Sequence, residues 1–311
     1  MFKNIIAYVY NDSETDFTQI HTQVKNNTFS PLDQDITSTV GFDQFDDDVY
    51  IIESDNRLLL KVKSSSKNIS EQMIRNLTDE RIENAKKEKG VNQASYDVRD
   101  IYENQVRREC LKYTTPTNKT VLLLIDKNTH YIYANTTNTS LAENAIHFVR
   151  KVIGKLACQY VYFLSSFFEN TIGAIQLQLQ NSGNFPYCLR IPIYPSVATH
   201  STEDVKIVLT GIYKDSDSFI DLLGGRRLKS LELELVSQKT ESVSVITTFI
   251  LYFNKKGVLI IKDLLLGDSE SNYQYESIQE ECSSIMLLVG RYMKLIIDSL
   301  DHSLSRNDVF Q

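Results

Sequence analysis

Five apolar residues in a row, Val121-Leu-Leu-Leu-Ile125, follow directly on two polar helical stretches, and this junction constrains the fold more than any other feature of the chain. The run is too short for a helix and is bounded by Pro116 and Asn118 on one side and Asp126 on the other, so it reads as a buried strand. Upstream, Ser70 is placed to cap a helix by accepting from the orphan amides of its first turn. Ile69, Met73, Leu77, Ile82 and Ala85 give that helix a loose apolar side. Lys86, Lys87 and Lys89 crowd its end, and Gly90 is a natural left-handed stop. A second helix is predicted from Ala94 to Tyr113, with Val98, Ile101, Tyr102, Val106 and Cys110 on one side and Arg99, Arg107, Arg108 and Lys112 around it. Two cation-bearing helices thus feed one buried strand.

Around this segment the first half reads strand, helix, strands, helices, hairpin, helix. Phe2 to Tyr10 is rich in β-formers, Asp12 to Asn27 has helical spacing, and Gly41-Phe42 opens a short extended piece. Val49–Ile52 and Leu58–Val62 form a hairpin across Asp55-Asn56, two residues that tolerate positive φ. His130–Ala134 returns alongside the apolar strand. Ser140-x-x-Glu143 is a capping box for a helix from Leu141 to Leu156, with Ala145, Val149, Val152, Ile153 and Leu156 inward. In the second half, Ile172–Leu179, Tyr187–Tyr194 and Val205–Ile212 are extended, and Asp215–Leu223 is helical, stopping at Gly224-Gly225. Arg226–Val236 alternates, so one face is apolar and the other charged. Val243–Phe253 and Val258–Leu264 pair across Asn254–Gly257, and Tyr275–Leu300 is one long helix. The chain is therefore α+β, with an N-terminal region 1–156 that contains the helices of 70–113 and a C-terminal region 157–311.

Composition excludes some classes of function. The net charge is −7, so an anionic partner has to be held by a local basic patch against an average field that repels it. The four cysteines, Cys110, Cys158, Cys188 and Cys282, have no metal-ligand spacing and read as small buried hydrophobes in a reducing compartment. The N-terminus lacks a secretory pattern, and no apolar run approaches the roughly 20 residues a bilayer demands, so a cytoplasmic protein without a membrane partner is expected. The acidic run Asp43–Asp48 lacks the glycine and closing glutamate of a calcium loop. Gly224-Gly225-Arg226-Arg227 follows a helix and leads into a strand, the reverse of a phosphate loop. The histidines form no pair, and neither a nucleophile elbow nor a catalytic cysteine setting is present. No catalytic residue, metal ligand or cofactor is assigned, and no enzymatic activity is expected.

Charge placement carries the remaining signal. The first sixty residues are strongly acidic, whereas bases outnumber acids between Arg81 and Lys119. Lysines at a helix C-terminus complement its dipole, and Glu103 with Arg107 is an ordinary i, i+4 pair. Both facts are also compatible with a face that meets phosphate.

Several local strings, in order, resemble the RdgC family of bacterial recombination-associated proteins. Phe2-Lys-Asn-Ile5 with Tyr8 is similar to the family's first strand, and Phe29-Ser-Pro31 with Gly41-Phe42 resembles its Phe-Thr/Ser-Pro and Gly-aromatic pair. Ser70, the Lys86–Lys89 run and Gln105–Cys110 fall at family positions, the last in place of a Leu-Pro-Arg-Ala-Phe-like motif. Val121–Asp126, Tyr131–Ala134 and the Ala142–Leu156 helix, with Arg150, Lys151 and Gly154, match in order and spacing. Gly225–Leu233 and Val258–Asp263 resemble two later family strands, and residues 157–205 match poorly. The resemblance implies a horseshoe-shaped subunit of antiparallel sheets and long helices that closes into a ring-shaped homodimer. It implies duplex DNA as partner, bound without sequence preference, a nucleoid-associated location and antagonism of the RecA recombinase. The residues assigned to phosphate contact are Lys86, Lys87, Lys89, Arg99, Arg107, Arg108 and Lys112, followed by Arg226, Arg227 and Lys229. A protein-interaction module of a mobile element that kept the fold and lost the DNA grip is the alternative.

Overall fold

Residues of the apolar run turn alternately to two opposite cores, which is why the run is unbroken. Val121, Leu123 and Ile125 enter one buried cluster, and Leu122 and Leu124 enter the other. A computed structural model of the chain describes residues 2–89, 96–162, 187–200, 206–211, 213–214, 227–239, 242–253, 257–266 and 275–301. The strands are β1 Ile5–Tyr10, β2 Ser38–Phe42, β3 Ile51–Ser54, β4 Arg57–Ser66, β5 Thr117–Asp126, β6 Tyr131–Ala134, β7 Cys158–Tyr160, β8 Tyr187–Arg190, β9 Val197–His200, β10 Lys206–Leu209, β11 Arg227–Lys239, β12 Ser242–Phe253 and β13 Leu259–Lys262. The helices are α1 Ile20–Asn26, α2 Glu71–Lys89, α3 Tyr96–Tyr113, α4 Thr139–Ile153 and α5 Ile278–Asp301.

Among the described residues these strands make one thirteen-stranded antiparallel sheet with the order β10-β9-β11-β12-β13-β1-β6-β5-β4-β2; β3, β7 and β8 add to β4, β1 and β11. One face is covered by α5 through Met286, Val289, Met293, Ile296, Ile297 and Leu300. The other is covered by α1 and α4 through Ile20, Val24, Ala142, Ala145, Ile146 and Val149. The α+β class with antiparallel pairing holds, as do the positive φ angles at Asp55 (50°) and Asn56 (58°) that close the β3–β4 turn. The alternation of β11 holds as well. Leu231, Leu233 and Leu235 are buried, while Glu232 and Glu234 point the other way, Glu234 accepting from Arg190 Nη2 at 2.6 Å.

Some local expectations are corrected. Asn118 lies inside β5 rather than breaking the chain, because it pairs with Ser65 as β5 extends along all of β4. The N-cap of α4 is Asn138, whose side chain accepts from Leu141 N at 3.1 Å, and Glu143 accepts from Tyr160 Oη at 2.7 Å instead of closing a box with Ser140. The stretch Asp12–Asn27 divides into a 3-10 turn at Asp12–Glu14 and α1. The segments 172–179 and 215–225 lie outside the described residues.

Two close approaches set the packing. Phe29 N donates to Phe42 O at 2.8 Å and Phe42 N to Asn27 O at 2.9 Å, drawing 27–29 against the bare Cα of Gly41. On the opposite face, Gly290 of α5 passes directly over the Arg57–Asp126 ion pair, in which Asp126 is fully buried and Arg57 Nε lies 2.9 Å from its Oδ2.

Candidate nucleic-acid interface

Helices α2 and α3 spring from the ends of β4 and β5 and pack chiefly on each other. Ser70 caps α2 as expected, its Oγ accepting from Met73 N at 3.4 Å. The buried seam differs from the expected one. Ile74, Thr78 and Ile82 of α2 and Val106 and Leu111 of α3 are buried, whereas Met73, Val98 and Ile101 are exposed. Both helices are so polar all round that periodicity alone could not choose the inner face.

Ion pairs between the helices complete the seam. Arg107 clasps Glu71 through both terminal nitrogens at 2.8 and 2.9 Å and reaches Glu103 at 3.3 Å. Arg81 grips Glu109 at 3.1 and 2.7 Å, and Arg99 meets Asp79 at 2.7 Å. The hydrogen bonds from Arg107 and Arg81 hold the Glu71 and Glu109 carboxyls below the usual range. A depressed acid adds stability that is complete above its unfolded pKa, about 4.3, and is lost as pH falls through the lower folded value. Hydrogen-exchange protection of the α2 and α3 amides is therefore expected to weaken as pH falls below about 4.3, by a modest amount for such exposed pairs, while the β1, β5 and β6 amides stay protected. Unchanged protection in α2 and α3 would show that these pairs do not hold the hairpin.

The assigned cations divide accordingly. Arg99 and Arg107 are bound by hairpin carboxylates, and Lys86 Nζ lies 3.0 Å from Glu83. Lys87, Arg108 and Lys112 are exposed and make no ion pair among the described residues. The backbone of Lys89 ends α2 and that of Arg227 opens β11, but their side chains, like Arg226 altogether, lie outside the described residues. Lys229 is remote in sequence from the hairpin and sits 6.0 Å from the ring of Tyr252, over which Lys262 also lies at 3.8 Å.

Residues 1–168, which include α1–α4 and β1–β7, match the family model RdgC, described as "Putative exonuclease, RdgC". The chain belongs to the RdgC family. No curated protein matches it. Membership in the RdgC family points to a recombination-associated, DNA-binding role, and the match contains the whole α2–α3 hairpin. Among the described residues no cluster of three or more His, Cys, Asp or Glu is placed to hold a metal ion, and no helix is long and apolar enough to cross a membrane.

Two further lysines of this RdgC-family chain are absent from the sequence-derived set. Lys119 of β5 and Lys151 of α4 line a groove of about 840 Å³ at the root of the hairpin. Lys151 was visible only as part of the Arg150-Lys151 string. The structure separates the two, because Arg150 turns away to donate to Leu156 O at 2.9 Å.

Proposed function

We propose that the protein binds duplex DNA without sequence preference as an encircling homodimer of horseshoe-shaped subunits. By occupying that substrate on the nucleoid, it restrains RecA-dependent recombination, without enzymatic activity. The observation that carries this reading is the family match over residues 1–168. Charge placement supports it: in a chain of net charge −7, Lys87, Arg108 and Lys112 are exposed on the hairpin and make no ion pair among the described residues. Such side chains donate to phosphate oxygens and read no bases. Met73, Ile101 and Tyr113, exposed by 54%, 55% and 88%, give the same hairpin apolar surface for a second copy.

Neutralising Lys87, Arg108 and Lys112 together is expected to weaken all duplex sequences alike. The slope of log affinity against log salt should flatten by about 0.9 for each phosphate no longer met by a cation. Fluorescence anisotropy on two unrelated duplexes across a salt series measures this, and undiminished binding would remove the assignment. Light scattering at micromolar concentration tests the dimer, and a monomer there would contradict ring closure. The exposed apolar residues also favour the protein-interaction reading. That reading predicts no DNA retention at physiological salt together with a co-purifying partner.

A further inference from the structure

The groove at the root of the hairpin has two walls of different origin. One is a stripe along α4 formed by Ser140, Asn144, His147 and Lys151, spaced i, i+4, i+7 and i+11, on the side opposite the buried Ala142, Ala145, Ile146 and Val149. The other is the polar end of β2, β4 and β5, where Ser64 pairs with Val40 on one side and Lys119 on the other. Every ionisable side chain lining this groove is a lysine or a histidine: Lys119, His147 and Lys151. That is unusual in a chain with 40 acidic and 33 basic residues. The cleft between α2 and α3 includes Glu80 and Glu109, and the one beside Arg150 includes Glu14. Neither Lys119 nor Lys151 makes an ion pair among the described residues.

Resting on the DNA-binding reading above, we infer that this groove is a second nucleic-acid contact, which takes the sugar–phosphate backbone of a single strand. Its volume of about 840 Å³ lies in the range of clefts, roughly 300–1,000 Å³, that enclose one small ligand, so a short stretch of one strand enters and a double helix does not. Lys119 and Lys151 supply the charge, and the side-chain donors of Ser140 and Asn144 supply neutral hydrogen bonds to phosphate or sugar oxygens. The exposed ring of His147 offers a base a stacking surface, which tolerates any sequence. The groove also continues the hairpin interface, because Ser66 leads toward α2 and Thr117 follows α3, whose last turn carries Lys112.

The test is anisotropy with a labelled single-stranded oligonucleotide and with the duplex of the same sequence. The proteins are wild type, Lys119→Glu/Lys151→Glu, Lys119→Gln/Lys151→Gln, Lys119→Arg/Lys151→Arg and Arg108→Glu/Lys112→Glu, each checked for wild-type circular dichroism and melting. Both groove variants that remove the cations are expected to weaken single-strand binding by about tenfold or more. Their single-strand salt slope should fall by about 1.4, two phosphates at roughly 0.7 each, while the arginine pair restores both. Duplex affinity should follow the hairpin variant instead. Single-strand affinity and slope unchanged in the glutamine pair overturn the inference and leave duplex binding by the hairpin standing. A wild-type protein that binds neither probe at low salt overturns the DNA-binding reading itself.

Discussion

Replacing Asp126 with alanine is expected to lower the free energy of unfolding by about 3–5 kcal/mol, the usual cost of removing one partner from a buried ion pair. The Asp126 side chain is 0% exposed; its Oδ2 accepts from Arg57 Nε at 2.9 Å and its Oδ1 from Asn128 N at 3.0 Å. Without it, Arg57 remains under α5 with the exposed Asp55 carboxylate, 2.6 Å from its Nη1, as remaining partner. Gly290 makes the prediction specific. A Cβ there would lie 2.7 Å from Arg57 Nε and 2.9 Å from Asp126 Oδ2, so the pair has to separate to admit it. Glycine to alanine inside a helix normally stabilises by about 0.5–1 kcal/mol. Here Gly290→Ala is expected to destabilise, and to do so less when Asp126 is already alanine. Urea unfolding of the two single variants and the double variant measures that coupling. A stabilising Gly290→Ala with additive behaviour would show that α5 does not depend on this contact.

Gly41→Ala is expected to cost about 3 kcal/mol. A Cβ at Gly41 would overlap Phe29 Cα, and would lie 2.5 Å from Phe29 N and 2.7 Å from Thr28 C. These are main-chain atoms that cannot rotate aside, so segment 27–29 has to leave β2 and give up its two hydrogen bonds to Phe42. The thermal midpoint should fall by several degrees. Val40→Ala, at a neighbouring exposed position, should change it little. Equal midpoints for the two variants would show that the loop yields without loss. The paired strings Phe29-Ser-Pro and Gly41-Phe42 thus have a physical cause: the bare glycine admits the segment 27–29 that leads into the first string.

The ion pairs of the hairpin change the meaning of its charge. Glu103 with Arg107 was legible at i, i+4, and it forms. Glu71 with Arg107 and Asp79 with Arg99 are separated by 36 and 20 residues, so nothing local announced them. Arginines that looked like a phosphate-facing set are partly ties within the hairpin, whereas Lys87, Arg108 and Lys112 and the unforeseen Lys119 and Lys151 make no ion pair among the described residues.

Local chemistry by itself determined which segments became strands, turns and long helices. The apolar run Val121–Ile125, the Asp55-Asn56 turn, the Ser70 cap and the alternation after Arg227 each act over a few residues, and their physics is complete within the segment. Tertiary structure decided which side of each polar helix faced inward, which arginines were neutralised, and that Asn138 rather than Ser140 caps α4. It also brought Lys119 and Lys151 to one groove. The reason is range: α2 and α3 have no strong apolar stripe, so their register is set by partners across the hairpin. A cation's role likewise depends on whether a carboxylate remote in sequence reaches it before a phosphate can.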